Sequence, residues 1–164
     1  MDAAKIIKQK YKNVEFQLLG HLDVESPTAI SKEQMDIWVK NGFVNYLGSS
    51  DDVRVEIAQA DCIVLPSFYR EGTPRILLES TSMAKPIITT DNVGCKDVVD
   101  DCINGFLCNI KDSADLALKM EKMLNLTDSE RSSMGKAGRE KIVKEFDEKI
   151  VIEKYLKAIE SILK

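Results

Sequence analysis

The chain has one histidine, four prolines and no apolar stretch approaching the roughly 20 residues that a membrane-spanning helix needs. A helical membrane span is therefore excluded, and the first residues lack the charged-then-apolar form of a secretory signal. Eight glycines in 164 residues, with no repeat, exclude a collagen-like or low-complexity chain. No G-x-G-x-x-G follows any apolar run, which removes the nearest enzyme class, a nicotinamide-dinucleotide domain. There is no C-x-x-C pair, and Cys62, Cys95, Cys102 and Cys108 lie far from the single His21. This spacing argues against a zinc site, and the four cysteines read as free thiols, with Cys62 a small core residue. A pI of 5.2 with a net charge of −4 argues against a nucleic-acid binder. What remains is a soluble, intracellular-type domain, read as one unit over residues 1–164.

The apolar pattern alternates between two periods. Residues 14–20, 43–48, 62–66, 86–90 and 105–108 read as short strands, and Cys62–Pro66 is a continuous apolar run of the kind covered on both faces. Helical stretches separate them. Ser31, with Gln34 three residues on, caps a helix to about Asn41, and Asp51–Asp52 open a short one to Gln59. Thr73 as N-cap and Pro74 at the first position predict a helix to about Met83. Further helices are predicted over 113–124, from the Thr127–Glu130 capping box, and from about Asp147 to the end, with Val151, Tyr155, Ile159 and Ile162 forming an apolar stripe. Strands separated by helices imply parallel pairing, hence an α/β, Rossmann-like, doubly wound parallel sheet. Such sheets bind ligands beyond the carboxyl ends of their strands.

One such end carries the chemistry, the run Pro66-Ser67-Phe68-Tyr69-Arg70-Glu71-Gly72-Thr73-Pro74-Arg75-Ile76-Leu77-Leu78-Glu79. A strand delivers the loop and a helix follows. Gly72 lets a ligand approach the backbone closely, and the helix start aims free N–H groups and a positive dipole end at the same crevice. Pro74 has no N–H, so the donors are Gly72, Thr73, Arg75 and Ile76. Two glutamates eight residues apart carry little information in an acidic chain, and one at a helix start also stabilises the helix without any ligand. The strand, the loop, the glycine and the helix start around them are what give the pair meaning.

This run resembles the Glu–seven residues–Glu motif of the family 4 retaining nucleotide-sugar glycosyltransferases, which have the two-domain GT-B fold. The resemblance extends to Ala60–Ser67 before the motif, to Ala84–Thr90 and Asn104–Leu107 after it, and to Arg131–Gly135 with Phe146. It implies a donor-binding domain in which Glu71 contacts the sugar at the reaction centre and Glu79 binds the ribose hydroxyls. Backbone amides of Gly72, Thr73, Arg75 and Ile76 would hold the diphosphate and sugar, with Gly48 and Ser49 beside the base. The donor implied is a nucleotide-diphosphate sugar, UDP before GDP, with no metal or other cofactor. The Glu71–Pro74 variant resembles members that build bacterial capsule, O-antigen and other lipid-linked glycans, so a hexosyl transfer to a glycan or lipid-linked acceptor is implied.

The departures are equally specific. The family's donor domain begins with a strand bearing an arginine and a lysine, whereas this chain starts in what resembles the following helix, whose Lys5, Lys8 and Lys10 read as surface lysines. The acceptor-binding half is also absent, so the chain reads as a fragment of a longer enzyme, inactive alone. The missing strand is the central one of a 3-2-1-4-5-6 sheet. The expectation is that residues 14–20 pair directly with 62–66, or that the domain self-associates to fill the gap. The full enzyme is expected in the cytoplasm, with peripheral association at the inner membrane face left open. His21 reads as a surface residue and Gly94 as a turn. A non-catalytic nucleotide-sugar-binding module is the alternative reading.

Overall fold

The computed structural model of the chain describes residues 1–22, 29–70 and 72–163. Glu71 and Lys164 therefore lie outside the described residues. In chain order the elements are α1 (Asp2–Lys10), β1 (Gln17–Leu18), α2 (Lys32–Lys40), β2 (Asn45–Tyr46), α3 (Arg54–Gln59), β3 (Ile63–Leu65), α4 (Arg75–Ser82) and β4 (Ile87–Thr90). A 3-10 turn (Lys96–Val98), β5 (Gly105–Cys108), α5 (Ser113–Asn125), α6 (Asp128–Glu145) and α7 (Glu148–Ile162) complete the chain. Every strand pair is parallel, as connections through helices require.

The helices start where short polar side chains can satisfy their first amides. Ser31 accepts from the Gln34 amide, Asp112 from those of Ala114 and Asp115, and Asp147 from that of Lys149. Thr127 and Glu130 form a complete reciprocal capping box. Helix α4 departs from the expectation. It begins at Arg75, one residue late, with Pro74 rather than Thr73 at the cap and no side-chain cap. The reason is the extended Pro74 backbone (ψ 129°), which turns its carbonyl inward to accept the amides of Leu77 and Leu78.

The core sits on the two faces of the β3–β4–β5 sheet. Successive strand residues point to opposite faces, so Ile88 joins Ala3 and Ile7 of α1 and Leu116 and Met120 of α5, while Ile87 joins Leu77 of α4, Val98 and Ile142 of α6. All four residues of β4 are buried, and Ile87 and Ile88 each stabilise the fold by about 1.5–3 kcal/mol through burial. Helix α6 lies close on α4, because Gly135 and Gly138 remove the side chains that would otherwise separate them from Ala84 and Thr81. Arg139 of α6 donates to the Ser82 carbonyl at the end of α4. The site helix is thus fixed from behind. Helix α7, in contrast, has no buried residue, and its apolar stripe is exposed.

The sheet itself corrects one expectation. Residues 14–20 do not pair with residues 62–66. Among the described residues β1 bonds only to β2, through Asn45 N–H to Phe16 and Leu47 N–H to Leu18, while β3 bonds only to β4. The strands therefore form a two-stranded and a three-stranded sheet. Packing explains the failure to close. Helix α1 is anchored on α5 by Ala3 and Ile7 and by a Tyr11 hydroxyl bond to Glu121 (3.0 Å), and this delivers the chain to the side of β2. Lys5, Lys8 and Lys10 are surface residues as expected, bonded to Asp2, the Gly42 carbonyl and Glu121. All four cysteines are free.

Candidate functional site

The loop from Pro66 leaves the carboxyl end of β3 and is tied down from the neighbouring strand. Thr89 Oγ1 donates to the Leu65 carbonyl (2.8 Å), Thr90 Oγ1 to that of Ser67 (2.5 Å) and Asn92 Nδ2 to that of Tyr69 (2.8 Å). These three side chains are buried, and buried polar groups in a folded chain are spent on such bonds. Phe68 stacks on Tyr69 with ring centroids 4.2 Å apart, and the Lys111 ammonium sits 4.4 Å from the Phe68 centroid. The loop path is therefore set in part by Thr90 and Asn92, which the sequence marks only as the end of a strand at the crevice and not as ties to this loop. The available signal was the run Thr89-Thr90-Asp91-Asn92, polar residues ending an otherwise fully buried strand.

At the start of α4 the amides of Arg75 and Ile76 have no partner among the described residues, since no helical carbonyl precedes them by a turn; the Pro74 carbonyl is the first in place and takes those of Leu77 and Leu78. Gly72 is exposed, with open space where a Cβ would stand, and Thr73 is half-buried. One turn on, Glu79 is 30% exposed and accepts a 2.7 Å bond at Oε1 from Arg75 Nε, whose own side chain is 90% exposed. The motif's second glutamate and the free amides thus lie on one helix, the amides at its tip and the carboxylate on its flank.

That flank forms one wall of a cleft of about 730 Å³ running along α4 from Arg75 to Met83. The opposite wall is the start of α3, from Asp51 to Arg54. Asp52 accepts from Arg54 Nε and Nη2, both at 2.7 Å, and from the Arg54 amide at 3.1 Å. These bonds hold its carboxyl down to about 2, so it is charged throughout the neutral range. The Arg54 guanidinium is in turn held protonated, by Asp52 first and also by the charge of Glu79 across the cleft. Two arginines, Arg54 and Arg75, and three carboxylates, Asp51, Asp52 and Glu79, therefore line one cleft. The helix expected from Asp52 begins two residues later, at Arg54, with Val53 at its cap and Asp52 outside it accepting the Arg54 amide; the role of Arg54 was missed, since Asp52-x-Arg54 reads in sequence as an ordinary helix start.

Gly48 and Ser49 lie beside this wall and do not line the cleft. Gly48 has the left-handed φ of 78° that favours glycine, and its carbonyl accepts the Gly20 amide (2.8 Å), joining the ends of β1 and β2. His21 is exposed, and Gly94 (φ 85°) is a buried turn glycine. Among the described residues no group of three or more His, Cys, Asp or Glu side chains could hold a metal ion. Nor is any helix among them long and apolar enough to cross a membrane.

Parallel strands, covering helices and a ligand-sized cleft between α4 and the start of α3 define a Rossmann-like α/β domain, one half of a GT-B fold. Solved structures superimpose on nearly the whole chain. A glycosyltransferase from Rickettsia africae has a TM-score of 0.84 at 21% identity, covering 99% of this chain and 43% of its own. The Anabaena protein HepE, in complex with UDP, has a TM-score of 0.72 at 18% identity over 98% of this chain and 52% of its own. The chain belongs to the family described as glycosyl transferases group 1, which matches residues 1–126. Among its relatives is a Campylobacter jejuni N,N'-diacetylbacillosaminyl-diphospho-undecaprenol alpha-1,3-N-acetylgalactosaminyltransferase, 29% identical over 163 residues. The match takes in 99% of this chain and 40% of that relative, so the chain spans well under half the length of the protein it resembles.

Proposed function

We propose that the chain is the donor-binding domain of a retaining glycosyltransferase that moves a hexosyl group from a UDP-sugar to a glycan or lipid-linked acceptor in bacterial polysaccharide synthesis. The observation that carries this reading is the pairing on α4 of unpartnered Arg75 and Ile76 amides with the half-exposed Glu79 carboxylate on the cleft wall. A carboxylate accepts two hydroxyl donors at once, which suits the ribose diol, and helix-start amides suit a diphosphate. The Anabaena neighbour's complex with UDP and the Campylobacter relative's diphospho-undecaprenol name support the same donor and acceptor classes.

In this reading Glu79 holds the ribose, and the amides of Gly72, Thr73, Arg75 and Ile76 face the diphosphate. Gly48 and Ser49 flank the base, and Glu71 contacts the donor sugar. Transfer breaks the bond between the anomeric carbon and the diphosphate oxygen, and the electron pair leaves with the phosphate. Amides already aimed at that oxygen stabilise the growing charge without reorganising. The acceptor attacks from the face the leaving group vacates, with retention and without a metal. The acceptor site, and the closure that excludes water, belong to a second half of the enzyme.

Isotope-edited NMR titration with UDP, UDP-sugars, GDP and NAD, repeated on Glu79→Ala, tests the proposal. Shifts at Gly72, Thr73 and Ile76 with UDP that vanish in the variant are expected. Equal responses to NAD and UDP, or a Glu79→Ala chain that binds UDP as well as the wild type, would refute it.

A further inference from the structure

The bond between Arg75 and Glu79 invites a plain explanation, an exposed i,i+4 ion pair of the weakly stabilising kind common on helix surfaces. Helix stability does not account for it. Arg75 is the first residue of α4, where a cation opposes the positive end of the helix dipole. The order is also the weaker one, since an acid placed four residues before a base stabilises a helix better than the reverse. No acidic residue in the first turn of α4 compensates. A leucine or glutamate at position 75 would suit the helix better.

The geometry of the bond points elsewhere. Arg75 approaches Glu79 through Nε alone and contacts only Oε1, at 2.7 Å. No other hydrogen bond to the Glu79 carboxylate is present among the described residues, so Oε2 is left for a ligand. The other guanidinium on the cleft does not compete. Arg54 is committed to Asp52 by its Nε and Nη2 bonds, and meets Glu79 only through its field. Glu79 is therefore held by one cation, at one oxygen, on the wall of the cleft.

We infer that Arg75 is a positioning residue for ribose recognition: its Nε–H···Oε1 bond fixes the Glu79 carboxylate so that Oε2 meets the nucleotide's ribose hydroxyls. The inference rests on the donor-site reading above. A free glutamate side chain samples several rotamers and must be ordered when the nucleotide binds, whereas a pinned one is already ordered, which raises affinity without a new contact to the ligand. Arg75 then acts through Glu79 and not on the phosphates, although its own backbone amide faces them.

The test is a double-mutant cycle on the full chain, read by calorimetric titration with UDP, 2′-deoxy-UDP and 3′-deoxy-UDP, using Arg75→Gln, Arg75→Lys, Glu79→Gln and the double variant. Both residues are on the surface of α4, and thermal melts monitor folding. Arg75→Gln is expected to weaken UDP binding about twofold, the most that an exposed pair of this strength can contribute by ordering Glu79, and to flatten the preference for UDP over the deoxy nucleotides. In the Glu79→Gln background it is expected to change nothing further, and Arg75→Lys to restore part of the preference. An Arg75→Gln loss of equal size with and without Glu79 would overturn the positioning role in favour of direct contact with the phosphates. Unchanged UDP affinity in Arg75→Gln, beside a loss in Glu79→Gln, would overturn it while leaving the donor-site reading standing. A Glu79→Gln chain that binds UDP like the wild type, or a wild type that binds none, would overturn both.

Discussion

Gly135→Ala tests the packing that holds the site helix in place. A Cβ built on Gly135 would stand 1.9 Å from the Ala84 carbonyl oxygen and 2.7 Å from its carbon, against the roughly 3.4 Å at which ordinary contact begins. About 1.5 Å must therefore open between α6 and the turn after α4 (3.4 less 1.9). Both clashing atoms are backbone, and the turn cannot yield easily. Its Ala84 and Lys85 amides close a Schellman motif on the carbonyls of Thr81 and Ser80, both at 3.0 Å. Helix α6 must move instead, and Met134 and Ile142, each 8% exposed, lose core contacts. Overpacking of this kind costs about 3 kcal/mol or more, offset by about 1 kcal/mol from the better helix propensity of alanine. The net loss of about 2 kcal/mol corresponds to a fall in Tm of roughly 4–8 °C for a chain of this length. Circular-dichroism melts with matched urea titrations measure it, and Lys136→Ala, on the exposed side of the same turn, serves as the control. A Gly135→Ala chain as stable as the wild type would mean that α6 does not cross the Ala84 turn at this distance.

Four further outcomes follow from the same structure. Ala84 holds a left-handed φ of 56°, so Ala84→Gly should raise stability by about 0.5 kcal/mol, the relieved strain slightly exceeding the entropy cost of glycine, and a lower urea midpoint would contradict this. Of the four thiols only Cys102 is exposed, so a thiol reagent at neutral pH should label one site quickly and the other three only after unfolding. Burial, helped by the charge of Asp61, pushes the Cys62 thiol up to about 12, and burial takes Cys108 to about 11, against 9.0 in the unfolded chain. The unfolded state thus loses these protons first, and the stability they contribute, complete below pH 9, is lost as the pH rises from 9 towards 12. The fall in urea midpoint between pH 9 and 11 should be shallower in Cys62→Val, and an identical slope would count against the buried thiol. Deleting residues 148–164 removes a helix with no buried residue, so Tm should move by less than about 2 °C, and a larger drop would show that α7 packs on the body.

The amino-acid sequence was sufficient for every element that depends on neighbours along the chain. The caps at Ser31 and Thr127, the apolar strand runs and the strand-to-helix turn before Glu79 are local patterns, and each formed close to where it was expected, with α4 one residue late and α3 two. Alternation of strands and helices then left only parallel pairing, which the structure has. The site was partly legible for the same reason, since free amides and a glutamate on the next turn belong to one helix. Tertiary structure alone decided which strands bond. Local pattern marks residues 14–20 as strand, but the anchoring of α1 on α5 places them beside β2 and away from β3. It also decided that Arg54, 25 residues from Glu79 in sequence, faces it across one cleft, and that Thr90 and Asn92 pin the loop after β3. Such contacts join residues whose separation in sequence carries no period, and only the packed chain brings them together.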